Sequence, residues 1–201
     1  AGCSGWICTY YIYDDFGQLR SVIQPRGIEL LQNNNWNINA LSGAILNEQC
    51  FRYEFDAKKR MIMKKAPAAG PVYMVYDARD RLVLTQDSIM RSKEQWQYVQ
   101  YDVTNRLIAM GIWNNTGSHA YHNSQAENSS NYPSMSGTWE ELTHTFYDDY
   151  NWRTLYGNPL SASLNTSYSG ELSSDFADFP YPEAVVQSKL EISCFGRTGT
   201  C

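Results

Sequence analysis

Apolar and polar residues alternate along much of this chain with a period of two, and the alternating runs come in pairs separated by short polar turns. A half-buried strand needs that period, because successive side chains point to opposite faces of a sheet. Val72-Tyr73-Met74-Val75-Tyr76 followed by Arg81-Leu82-Val83-Leu84-Thr85 is the clearest pair. Tyr11 and Tyr13 share one face before an earlier turn, with Leu19 after it, and Tyr53 and Phe55 stand in the same way before Met61 and Met63. Trp96-Gln97-Tyr98-Val99-Gln100-Tyr101 leads into a further turn. The pattern predicts successive antiparallel β-hairpins, an all-β chain.

One unit recurs in register across these pairs. It consists of an aromatic residue, an Asp, two variable residues, a turn residue, then a basic or polar residue and an apolar one. It reads Tyr13-Asp14-Asp15-Phe16-Gly17-Gln18-Leu19, Phe55-Asp56-Ala57-Lys58-Lys59-Arg60-Met61, Tyr76-Asp77-Ala78-Arg79-Asp80-Arg81-Leu82 and Tyr101-Asp102-Val103-Thr104-Asn105-Arg106-Leu107. A degenerate fifth copy is Tyr147-Asp148-Asp149-Tyr150-Asn151-Trp152-Arg153. The aspartates are spaced by 42, 21, 25 and 46 residues, which fits a unit of roughly 21 with two gaps of double length.

The unit has the chemistry of a tight hairpin. Asp suits the first position of a type I turn and Gly the fourth, as at Asp14 and Gly17. A type I turn followed by a left-handed residue gives a three-residue loop with a bulge. Asp80, Asn105 and Asn151 occupy the Gly17 position and tolerate that backbone, whereas Lys59 fits it poorly and marks the second turn as the weakest. Arg60, Arg81 and Arg106 each follow the turn Asp by four residues. Such Asp–Arg pairs read as cross-strand ion pairs, worth a few tenths to about 1 kcal/mol when exposed.

Insertions interrupt the array. Residues 27–47 hold Ile28-Glu29-Leu30-Leu31, compatible with one short helix, followed by an Asn-rich loop. Residues 114–137 are rich in Ser, Asn and Gly and read as a long exposed loop. The chain thus divides into a hairpin array over residues 1–156, with these two insertions, and an irregular segment over 157–201.

Composition agrees with the pattern. Fifteen Tyr, six Trp and seven Phe make 14% aromatic residues against 18% charged, a mix suited to pleated surfaces. The net charge of −5 and the absence of a basic cluster argue against a nucleic-acid partner. No apolar run is long enough for a membrane span, and the N-terminus lacks the regions of a signal peptide. Cys3 and Cys8 are close enough to pair locally, as are Cys194 and Cys201, while Cys50 stands apart; free buried thiols fit equally well, so cysteine usage leaves the compartment open.

The stretches Tyr10-Tyr11-Ile12-Tyr13-Asp14-Asp15-Phe16-Gly17, Tyr73-Met74-Val75-Tyr76-Asp77 through Thr85-Gln86-Asp87, and Thr145-Phe146-Tyr147-Asp148-Asp149-Tyr150 resemble the Rhs/YD-repeat family of large bacterial surface and secreted proteins. The resemblance runs from about residue 9 to 156 and is nearest to the long Rhs-type proteins of the Bacteroidetes. It implies a twisted, spiralling sheet that winds into a hollow shell, an extracellular or cell-surface location, and an enclosed toxin or an adhesive role. The family's self-cleaving motif has no match here, so the resemblance carries over no catalytic residue.

Two functions follow as expectations. The first is a non-catalytic structural module, part of a shell or scaffold whose partners are other repeats or domains of the same longer chain. Its turn residues are Asp14, Gly17, Asp56, Arg60, Asp77, Arg81, Asp102, Arg106 and Asp148. The second is an extracellular module that binds carbohydrate or protein through loop aromatics, with Trp36 and Trp113 as candidate glycan contacts. His119 and His122 lie three apart near Glu127 but lack a third ligand, and Asp14-Asp15 and Asp148-Asp149 lack an alternating acid pattern, so no metal or cofactor is expected. No Ser/His/Asp order, phosphate-binding loop or dinucleotide fingerprint appears, and no enzyme activity is expected. One hairpin cannot bury its own face, so the array needs several repeats, and an open sheet edge invites pairing with another strand.

Overall fold

In a computed structural model of the chain, residues 7–147 and the backbone of 192–195 are described. Ten strands follow one another: β1 (Tyr10–Tyr13), β2 (Leu19–Ile23), β3 (Cys50–Phe55), β4 (Met61–Lys65), β5 (Val72–Tyr76), β6 (Leu82–Gln86), β7 (Gln95–Tyr101), β8 (Leu107–Asn114), β9 (Trp139–Phe146) and β10 (Ile192–Phe195). Strand order in the sheet equals chain order, with β1 at one end. Every pair with a described register is antiparallel. The all-β hairpin array read from the alternation is therefore present. Among the described residues four α-helices accompany it, α1 (Pro25–Asn33), α2 (Ala44–Glu48), α3 (Ser88–Ser92) and α4 (His119–Ala126), with a 3₁₀ turn at Leu41–Gly43.

The chain forms two compact units, one of Ala1–Tyr98 with Trp113–Thr138 and one of Val99–Ile112 with Trp139–Cys201. In the first unit, α1 starts with Pro25 at its N-terminus, where proline's missing N–H costs nothing. It buries Ile28 and Leu31, which pack with Ile23, Ile45 and Cys50 beneath the first insertion. The short helix expected around Ile28–Leu31 is present and longer than the sequence pattern suggested. Cys50 is a buried free thiol that burial pushes above its ordinary pKa. Cys8 is disulfide-bonded.

A second cluster lies on β5, β6 and β7. The register pairs Val75 with Leu84 and Leu84 with Tyr98, which puts these residues on one face. Trp96 and Tyr98 are fully buried there, and α4 packs over β5. Residues 114–137 are thus only in part the exposed loop that their polar composition suggested. They contain a helix, and His122 and Ala126 within it are wholly buried.

The four described turns share one geometry. In each, the N–H of the fourth residue donates to the carbonyl of the Asp, and the Asp N–H donates to the carbonyl four residues on: Asp14 with Gly17 and Gln18, Asp56 with Lys59 and Arg60, Asp77 with Asp80 and Arg81, Asp102 with Asn105 and Arg106. The fourth residues are all left-handed, with φ of 75° at Gly17, 64° at Lys59, 62° at Asp80 and 68° at Asn105. Register shifts just before the turns of the β1–β2, β3–β4 and β5–β6 hairpins are the expected bulges. The second turn closes with the same bonds as the others despite Lys59, which accepts a left-handed backbone at a cost of about 1 kcal/mol.

The Asp side chain completes each loop. In three turns one carboxylate oxygen accepts the main-chain N–H groups two and four residues on, Phe16 and Gln18 at Asp14, Arg79 and Arg81 at Asp77, Thr104 and Arg106 at Asp102, and at Asp56 it accepts that of Arg60. These turns differ most in burial. Asp77 has no exposed surface and binds the 11% exposed Arg81 at 2.6 Å, whereas Asp14 is 24% exposed and meets Arg20 only at 3.9 Å. Removing one partner of a buried pair leaves an uncompensated charge, at about 3–5 kcal/mol, and removing an accessible turn bond costs about 1 kcal/mol. In urea unfolding, Asp77→Ala is expected to lose several times the stability lost by Asp14→Ala; equal losses would contradict the burial argument.

Candidate functional site

Beyond closing its own turn, the repeat carries a joint to the next one. In turn 2, Arg60 donates from Nε to Asp56 Oδ2 at 2.6 Å, which fixes the guanidinium at the strand end. The same guanidinium lies over the ring of Tyr76, with Cζ 4.9 Å from its centroid. Its Nη1 also donates to Asp80 Oδ1 at 2.7 Å. Tyr76 returns the contact, its hydroxyl donating to the carbonyl of Met61 at 3.0 Å. Lys58 adds an ion pair to Asp80 at 2.9 Å. Hydrogen bonds from Lys58 and the neighbouring positive charges hold the Asp80 carboxyl below its ordinary pKa.

The second unit repeats the carboxylate, stacking and hydroxyl contacts of this arrangement. Arg106 donates from Nε to Asp102 Oδ2 at 2.7 Å, its Cζ lies 4.3 Å from the Tyr147 ring centroid, and the Tyr147 hydroxyl donates to Leu107 O at 3.0 Å. Partial desolvation pushes the Asp102 carboxyl up, but hydrogen bonds from Arg106 and Thr104 outweigh it and hold the group well below the usual carboxylate range. Arginine suits this place because its planar fork binds a carboxylate along one edge while its face stacks on an aromatic ring. The stack is worth about 0.5–1 kcal/mol where exposed and about 2 when desolvated.

The first repeat lacks both halves of the joint. Gln18 stands where the others have Arg, and Phe55 stands where Tyr76 and Tyr147 carry a hydroxyl. Asp14, Gly17, Asp56, Arg60, Asp77, Arg81, Asp102 and Arg106 all take part in the main-chain hydrogen bonds of the turns. Asp148 lies outside the described residues. What the repeat did not disclose is that Tyr76 and Tyr147, each just before a turn Asp, receive the arginine of the preceding unit. The recurrence of Arg at a fixed offset from Tyr was the available signal.

The second insertion is held by buried side chains that donate to its main chain. Trp96 Nε1 donates to Gly117 O at 3.3 Å and Trp113 Nε1 to Ser136 O at 2.8 Å. Arg81 Nη2 reaches Ser130 O at 2.5 Å, and the Ala78 N–H reaches Ser129 O at 3.1 Å. At the centre His122 meets Trp96, Trp113 and Tyr121 edge-on at centroid distances of 4.7, 5.5 and 5.3 Å. Its Nδ1 lies 2.5 Å from the Tyr132 hydroxyl, and its Nε2 is buried without a hydrogen bond. Only glycine fits at position 117, since a Cβ there would meet Nε2 at 2.6 Å.

Trp113 is therefore a core residue, 3% exposed, and has no ring face left for a sugar. Its position beside a polar insertion suggested exposure, but the insertion folds over it. Trp36 is 49% exposed and stacks on Tyr10 with centroids 6.0 Å apart. Among the described residues, no group of three or more His, Cys, Asp or Glu is placed to hold a metal, and no helix is long and apolar enough to cross a membrane.

No family model matches the sequence, and no curated protein does. Among solved structures, the chain is similar to a crystal structure of TcdB2-TccC3-TEV, with 19% identity and a TM-score of 0.45 over 69% of this chain and 5% of that one. A crystal structure of TcdB2-TccC3-Cdc42 aligns with the same values, 19% identity and a TM-score of 0.45. A variant of the Photorhabdus luminescens Tc holotoxin pore gives 17% identity and a TM-score of 0.47 over 75% of this chain and 6% of that one. These neighbours are Tc toxin components, and this chain spans about a twentieth of their length.

Burial, together with the nearby His119, lowers the His122 pKa from 6.5 to about 4. The folded protein thus favours neutral His122, and the unfolded chain takes up the proton first. Stability from this group is complete above pH 6.5 and is lost as pH falls toward 4, by roughly 3 kcal/mol at the limit. Urea midpoints followed by Trp96 and Trp113 fluorescence are expected to fall between pH 7 and 4.5, and His122→Gln should flatten that slope; an equal slope in both proteins would contradict this role.

Proposed function

We propose that this chain is a non-catalytic wall segment, a run of YD-type hairpins belonging to a shell or scaffold of a larger bacterial protein that is secreted or displayed on the cell surface. The observation that carries the reading is the joint made by Asp56, Arg60 and Tyr76 and made again by Asp102, Arg106 and Tyr147. Its chemistry is used up internally: the carboxylate, the guanidinium and the phenol each satisfy another part of the protein. Such a joint resists separation of neighbouring hairpins, which suits a wall and leaves no reacting group poised for a substrate.

The burial of Trp96, Trp113 and the α4 residue His122 supports the same reading, because the insertion thickens the sheet. Partners are then other repeats and domains of the same longer chain, and a toxin is one cargo such a wall would enclose. The second reading, a module that binds glycan or protein, rests on Trp36 and Trp139, which are 49% and 50% exposed.

Electron microscopy of the full parent protein separates the two readings. The wall reading predicts a hollow particle enclosing density. An open, elongated particle would reject encapsulation and favour the exposed tryptophans as a binding surface.

A further inference from the structure

Tyr13 stands in its repeat where Tyr76 and Tyr147 stand in theirs, immediately before the turn Asp. Each of those tyrosines receives an arginine on its ring from the neighbouring strand and donates its hydroxyl to the carbonyl just after that arginine. Tyr13 is 58% exposed on β1, the strand that ends the order of the sheet. Beyond Tyr10, which stacks on Trp36, the strand is exposed, with Tyr11 at 60% and Ile12 at 45%, and Phe16 in the adjoining turn is 76% exposed. Among the described residues no strand pairs with the outer edge of β1.

We infer that β1 is the docking strand for a further hairpin of the same Asp-x-x-x-Arg type, whose arginine stacks on Tyr13 and whose following carbonyl accepts the Tyr13 hydroxyl. This rests on the wall reading and names the partner of its open edge. The occupant adds an antiparallel strand to β1 through main-chain hydrogen bonds, and its arginine sets the register, as Arg60 does against Tyr76. Burial of the Tyr11, Ile12 and Phe16 side chains supplies the apolar contribution. Continuity with the described joints selects this occupant over the first hairpin of a second copy. That hairpin offers Gln18 at the arginine position and has no guanidinium to place on the ring.

The test uses the full 201-residue chain and a backbone-cyclised peptide carrying Val72–Gln86, followed by hydrogen exchange. The inference predicts at least about threefold slower exchange of the β1 amides when the peptide is added. It also predicts that most of the protection disappears with an Arg81→Gln peptide or in a Tyr13→Ala chain. Unchanged β1 exchange, or protection indifferent to both substitutions, overturns it. So does a concentration-dependent dimer in sedimentation that Tyr13→Ala abolishes, since the occupant would then be a second copy. A Tyr76→Ala chain distinguishes the two levels of the argument. Faster exchange in β4 and β5 with an unprotected β1 retires this inference alone, whereas unaltered exchange there also removes the support for the wall reading.

Discussion

A carboxylate at the first position of each turn constrains the rest of this structure. The loop reverses the chain in few residues, which leaves main-chain N–H groups turned inward with no strand to accept them. Buried main-chain donors need partners, and one oxygen of the Asp side chain serves two of them. The other oxygen then faces the arginine four residues on, at 2.8 Å in turn 3 and 2.7 Å in turn 4. A guanidinium held along one edge presents its flat face sideways, toward the next strand, where an aromatic residue stands. A local rule for reversing the chain thereby becomes a link between repeats.

The second insertion meets the same demand by other means. Indoles buried in a sheet need acceptors for their N–H groups, and the strands' own carbonyls are already engaged. Residues 114–137 supply those acceptors from main-chain carbonyls at Gly117 and Ser136. Small polar side chains suit this task because they let the main chain approach closely, as Gly117 does against His122. The outcome is a buried aromatic cluster containing one titratable ring, whose neutral form the burial favours.

The alternation of Val72–Tyr76 with Arg81–Thr85 disclosed the strands, because strand period and turn spacing are local properties of the chain. The turn residues were legible for the same reason: Asp14 and Gly17 declare their conformations by residue type. Lys59 shows where that logic weakens, since the closing bonds and the neighbouring strands impose a left-handed backbone on a residue that resists it. The burial of Trp113 and His122 was not legible. It depends on contacts with Ser136 and Tyr132, residues 23 and 10 positions away, and polar composition alone reads as solvent exposure. The joint between Arg60 and Tyr76 was half legible, since the repeat showed both residues at fixed offsets but not that they belong to different hairpins' ends of one contact.

The claim on which the account depends is that arginine and tyrosine of successive repeats are energetically coupled. A double-mutant cycle on Arg60→Gln and Tyr76→Leu, measured by equilibrium unfolding, reads that coupling directly. The account predicts that the two losses fall short of additivity by about 1 kcal/mol, the range of a cation stacked on an aromatic ring. Losses that simply add would show that the two side chains are neighbours without a joint, and would contradict the account.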